Sequence, residues 1–81
     1  METYYDILRV LGKGAEKPTR VMYRANLSWS SLQVHIKCLD AQGLIEISEI
    51  GKMEYHLSDK GFQILNQILS IREDLSLQNE A

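Results

Sequence analysis

A chain of 81 residues, 44% apolar and 25% charged, has the composition of a globular protein, which argues against disorder, and too little length to close a second core, which excludes a second domain. Its formal charge of −2 taken alone argues against nucleic-acid binding, but residues 1–42 carry six cations against four acids and residues 43–81 three cations against seven. Cys38 is the only cysteine, so an intramolecular disulfide is excluded, and no apolar run approaches the ~20 residues that cross a bilayer.

The N-terminus, METYYDILRVLG, lacks the positive start and apolar run of a signal peptide, so the chain reads as cytoplasmic. Thr3 and Asp6 have the spacing of a capping box, and Tyr4, Ile7, Leu8 and Leu11 repeat at helical spacing before Gly12 and Gly14. This predicts a first helix over about Tyr4 to Leu11. Lys13 to Lys17 reads as a polar linker. Pro18 suits the first turn of a second helix running to about Ala25, with Val21, Met22 and Ala25 inward. Lys17, Arg20 and Arg24 lie on its other side, either as a solvated face or as a clamp on phosphates.

Ala25-Asn26-Leu27 makes a turn, and Ser28 is a natural N-cap for a third helix that Gly43 ends. Leu32, Ile36 and Leu39 form its inward stripe, with His35 beside them. The opposite face carries Ser30, Gln33, Val34 and Lys37. Two helices in this relation are a helix-turn-helix, whose second helix, about Ser28 to Gln42, can enter the major groove of DNA. Gln33 suits adenine, Val34 a thymine methyl, and Lys37 a guanine edge or a phosphate. Trp29, between the two faces, reads as a partly buried packing residue.

Beyond Gly43 the pattern alternates. Residues 44–49 and 53–57 read as two strands joined near Ile50-Gly51-Lys52, with Lys52 the one cation at the tip. Glu46, Glu49 and Glu54 keep the strands off DNA. Ser58 caps a last helix that continues to roughly Leu77 and carries two apolar sets. Phe62, Leu65 and Leu69 make one; Ile64, Ile68, Ile71 and Leu75 make the other. A domain this small covers one set, so the second is expected to pair two copies as a homodimer. Residues 1–57 are then the core unit and 58–81 the packing and dimerisation helix of a single domain.

No ligand set for a metal, no phosphate loop and no nucleophile–base pair is visible. His35, Cys38 and His56 lack a fourth ligand at a recognisable spacing. The expectation is a non-enzyme without metal or cofactor.

The run from Pro18 to Ser30, PTRVMYRANLSWS, followed by Gln42-Gly43-Leu44-Ile45 and by Tyr55-His56-Leu57-Ser58-Asp59-Lys60-Gly61, resembles the archaeal winged helix-turn-helix family. Val21 and Ser58 stand where that family's pattern has Ile and Thr. The resemblance implies a mostly α fold with a small β-hairpin, in the order α-α-α-β-β-α, with a long C-terminal helix. It also implies binding to double-stranded DNA as a homodimer with the last helices antiparallel. By position it assigns base recognition to Ser28 through Lys37 and backbone contacts to Thr19, Arg20 and Arg24. With Lys17, Ser28 at the start of the third helix and Lys52 at the hairpin tip, these make the expected set of DNA-backbone contacts. The acidic C-terminal half departs from the more basic relatives that coat DNA and points to a sequence-specific transcription regulator. The alternatives are a winged-helix module for protein–protein contact and an architectural DNA-binding protein.

Overall fold

A computed structural model describes the backbone of residues 2–80 and the side chains of residues 3–73. In chain order the elements are α1 (Glu2–Leu11), α2 (Pro18–Arg24), α3 (Trp29–Ala41), β1 (Ile45–Ser48), β2 (Glu54–Leu57) and α4 (Asp59–Glu80). Helix α1 already includes Thr3, so the capping box expected at Thr3 and Asp6 does not form the helix start. The helix backbone begins one residue earlier, at Glu2, a residue type of good helix propensity.

Every element contributes to one core. Ile7, Leu8 and Leu11 of α1, Val21 of α2, and Leu32, Ile36 and Leu39 of α3 are buried, together with Ile45 of β1, Tyr55 and Leu57 of β2 and Leu65 of α4. The turn between α2 and α3 is tight because Asn26 adopts the left-handed conformation (φ 56°), one that Asn tolerates better than most residues. The amide of Leu27 then donates to Met22 O at 3.0 Å, and Leu27 packs against the core in the corner.

Strands β1 and β2 pair antiparallel, with Ile45 opposite Leu57 and Ile47 opposite Tyr55. The segment expected as a plain polar linker has a structural role. Glu16 N donates to Tyr55 O at 3.0 Å, and Tyr55 N donates to Glu16 O at 2.8 Å. This bridge ties the approach to α2 onto the hairpin. It uses backbone atoms only, so it leaves no side-chain pattern.

The start of α4 is locked onto the exit of α3. Ser58 N donates to Leu44 O (3.0 Å) and Ser58 Oγ to Gly43 O (2.5 Å), while Gly61 N donates back to Ser58 Oγ (3.0 Å). Lys60 Nζ reaches Gln42 O at 2.9 Å. The carbonyls of Gln42, Gly43 and Leu44, just past the end of α3, are thus taken by Ser58 and Lys60, while the Ser58 hydroxyl caps the amide of Gly61 in the first turn of α4.

With ~3.6 residues per turn, the inward strip of α4 falls between the two apolar sets expected for it. Leu65 is buried, and Ile64 and Ile68 are half-buried against the core. What remains exposed flanks that strip on both sides: Ile71 (59% exposed) on one, Phe62 and Leu69 on the other.

Candidate nucleic-acid interface

Helix α3 is held by its cap and its inward face. Ser28, extended at φ −73° and ψ 162°, accepts the amide of Ser31 on its hydroxyl at 3.2 Å. His35 Nδ1 lies 2.7 Å from Ser31 O, and its ring meets Tyr4 of α1 edge-on with centroids 4.7 Å apart. Cys38 also abuts Tyr4, whose phenol is pushed above its ordinary value chiefly by hydrogen bonding with that thiol, then by desolvation and the thiol's charge. Leu32, Ile36 and Leu39 are buried, and rotation by ~100° per residue puts Ser30, Gln33, Val34 and Lys37 on the opposite side. Ser30, Val34 and Lys37 are exposed and Gln33 is half-exposed. The four form one contiguous outward stripe, since they are spaced i, i+3, i+4 and i+7.

On α2, Lys17 is the N-cap residue and makes no side-chain cap; Thr19, Arg20 and Arg24 are exposed. Arg20 Nε stands 3.9 Å from Glu16 Oε2, a solvent-facing pair of the kind that contributes ~0–1 kcal/mol, so the guanidinium can exchange this carboxylate for a phosphate. The hairpin tip turns through Gly51 (φ 78°) and leaves Lys52 exposed. Behind it His56 Nδ1 lies 3.5 Å from Glu46 Oε2 across the strand pair.

Several exposed groups were not singled out in the sequence or sit farther out than expected. Tyr23 is 77% exposed in the last turn of α2, and Trp29 at the first position of α3 is 51% exposed. Ile50 is 94% exposed at the hairpin tip. An apolar residue at a loop tip has no periodic context, which is why Ile50 carried no signal. Arg9 and Lys13 share a small concavity with Arg24; their i, i+4 spacing was legible, but their proximity to α2 was not.

The residues expected to join two copies divide. Ile64 and Ile68 line an open, mainly apolar groove of about 670 Å³, together with Tyr4, Leu8, Leu39 and Leu44. Ile71 lies beyond it on the surface, and the Leu75 side chain falls outside the described residues.

A family model described as winged helix-turn-helix matches residues 1–76. An uncharacterised protein of Methanocaldococcus jannaschii, MJ0287, is 33% identical over 72 residues, covering 80% of this chain and 74% of its own. Among solved structures, a double mutant of Lactococcus lactis ZitR superposes with a TM-score of 0.86 at 20% identity, over 99% of this chain and 58% of that one. The transcriptional regulator BldR from Sulfolobus solfataricus gives 0.84 at 16% identity, over 95% and 58%. At such identities the likeness is one of fold. This chain spans a little under three fifths of the length of both solved proteins.

Proposed function

The chain belongs to the winged helix-turn-helix family, and we propose that it is a DNA-binding transcription regulator that acts as a homodimer, with α3 as the recognition helix. The observation that carries this reading is the outward stripe of α3. Ser30, Gln33, Val34 and Lys37 are left to solvent by a helix whose other face is sealed into the core. Such a stripe combines a bidentate amide, a methyl-bearing side chain and a cation, the groups that read base edges in a major groove. Lys17, Thr19, Arg20, Arg24 and Lys52 are the exposed neighbours on α2 and the hairpin tip, and they serve as phosphate contacts that set the register. Ser28 contributes mainly by fixing the start of α3 through its cap.

One monomer offers few base-reading groups and a single cation among them, so useful affinity requires two copies. Support for the dimer comes from the groove beside α4 and the exposed Ile71, an apolar flank that the described residues do not cover.

The roles separate by mutation. Arg20→Ala and Arg24→Ala are expected to weaken binding to selected and random duplexes alike, each lowering the log–log salt slope by about 1.8, because every homodimer loses two phosphate contacts. Gln33→Ala is expected to narrow the difference between selected and random duplexes, with the slope unchanged. Binding isotherms between 50 and 200 mM NaCl provide the check, and equal losses on both duplexes for all three variants would contradict this division. The acidic residues Glu46, Glu49 and Glu54 on and beside the hairpin strands favour a second reading, a protein-contact module. Failure of the parent protein to retain any duplex at low salt would select that reading.

A further inference from the structure

Arg9 in the last turn of α1, Lys13 just past its end, and Arg24 in the last turn of α2 converge on one concavity of about 190 Å³ with Val10 as its apolar wall. All three cations are exposed. The described ion pairs join Arg20 to Glu16 and His56 to Glu46, and no described carboxylate pairs with Arg9, Lys13 or Arg24. Arg9 and Arg24 each stand beside the negative end of their own helix, which offsets part of their charge. Lys13 lies beyond the helix and adds a third positive charge that neither helix end requires.

Three exposed cations lining one small concavity raise the local positive potential, which attracts an anion. Two guanidinium forks and an ammonium match the oxygens of a phosphate in geometry as well as sign. A volume of about 190 Å³ admits a phosphate group but falls below the ~300 Å³ of ordinary small-molecule sites. Arg24 belongs both to this pocket and to the set expected on the DNA backbone, so the pocket continues that surface.

We propose that the Arg9–Lys13–Arg24 pocket seats one further backbone phosphate of the bound duplex, extending the footprint from the helix-turn-helix onto the end of α1. The inference rests on the DNA-binding reading above and adds Arg9 and Lys13 to it. Because a phosphate contact carries no sequence information, it strengthens binding to every duplex equally.

The test uses the full chain carrying Arg9→Gln with Lys13→Gln. A second variant, Gln63→Glu with Asn66→Asp on the exposed side of α4 away from Ile71, matches it in net charge. Thermal melts establish that each is folded. Duplex affinity is then measured between 50 and 200 mM NaCl. The pocket variant is expected to lose roughly tenfold or more in affinity on selected and random duplexes alike, with the salt slope lower by about 1.8, one phosphate contact from each protomer. The α4 variant is expected to keep the parent slope. An unchanged slope in the pocket variant, or equal changes in both variants, would overturn the proposal while leaving duplex binding by the parent intact. A parent that retained no duplex would remove the DNA reading and this inference together. A titration with inorganic phosphate closes the alternatives: a millimolar response lost in the pocket variant, beside an unchanged duplex slope, would assign the pocket to free phosphate and contradict the proposal.

Discussion

Replacing Gly61 by Ala is expected to destabilise the protein by about 3 kcal/mol, although the change adds one methyl group. A Cβ built on Gly61 would sit 2.0 Å from Leu44 O, 3.1 Å from Leu44 C and 3.3 Å from Leu57 Cδ2. The nearest of these is a backbone oxygen, and Ser58 N already holds it at 3.0 Å. Relief therefore requires the first turn of α4 to lift away from the exit of α3. That movement strains the bonds from Ser58 to Gly43 and from Lys60 to Gln42. Total stability for a chain of this length is about 4–12 kcal/mol, so the loss is a large fraction and lowers the melting temperature by roughly 12–24 °C. Gly12→Ala provides the contrast. Its Cβ would meet Leu65 Cδ2 at 2.6 Å, the free end of a flexible side chain, and the cost is expected to be markedly smaller. Urea denaturation of the two variants checks the ordering; equal costs, or less than about 0.5 kcal/mol for Gly61→Ala, would contradict it.

Ile71→Asp combined with Leu75→Asp is expected to halve the mass seen by sedimentation and to weaken duplex binding by about 100-fold or more. Asp at Ile71 adds charge to a flank that is already exposed, so the monomer's own core is spared. Ile64 and Ile68 are poorer probes, because they also pack against the core. Phe62→Ser with Leu69→Ser, on the other flank of α4, is expected to leave the mass unchanged. Loss of the dimer in that second variant alone would move the interface to the opposite flank.

The parts of this fold that repeat with a helical or alternating period were legible in the sequence. Leu32, Ile36 and Leu39 marked the inward face of α3, Ser28 its cap, and Gly43 its left-handed end at φ 73°. Placement of Ser30, Gln33, Val34 and Lys37 on the far side then followed from helical spacing alone. The features missed arise from contacts between segments far apart in the chain. The Glu16–Tyr55 bridge and the Lys60–Gln42 bond are made to backbone atoms, whose partners no residue type announces. The division of α4 into two stripes failed for a related reason. Periodicity shows that Ile64, Leu65 and Ile68 are apolar, but their depth depends on how α1 and the exit of α3 pack on that helix. The same holds for Arg9 and Lys13, whose convergence on Arg24 follows from the packing of α1 on α2.

Hydroxyl-radical footprinting on a duplex selected from a random pool tests the central claim most directly. A homodimer with α3 in two successive major grooves predicts two protected stretches whose centres lie about one helical turn, roughly 34–36 Å, apart. A single protected stretch, or no duplex retained at low salt, would contradict it.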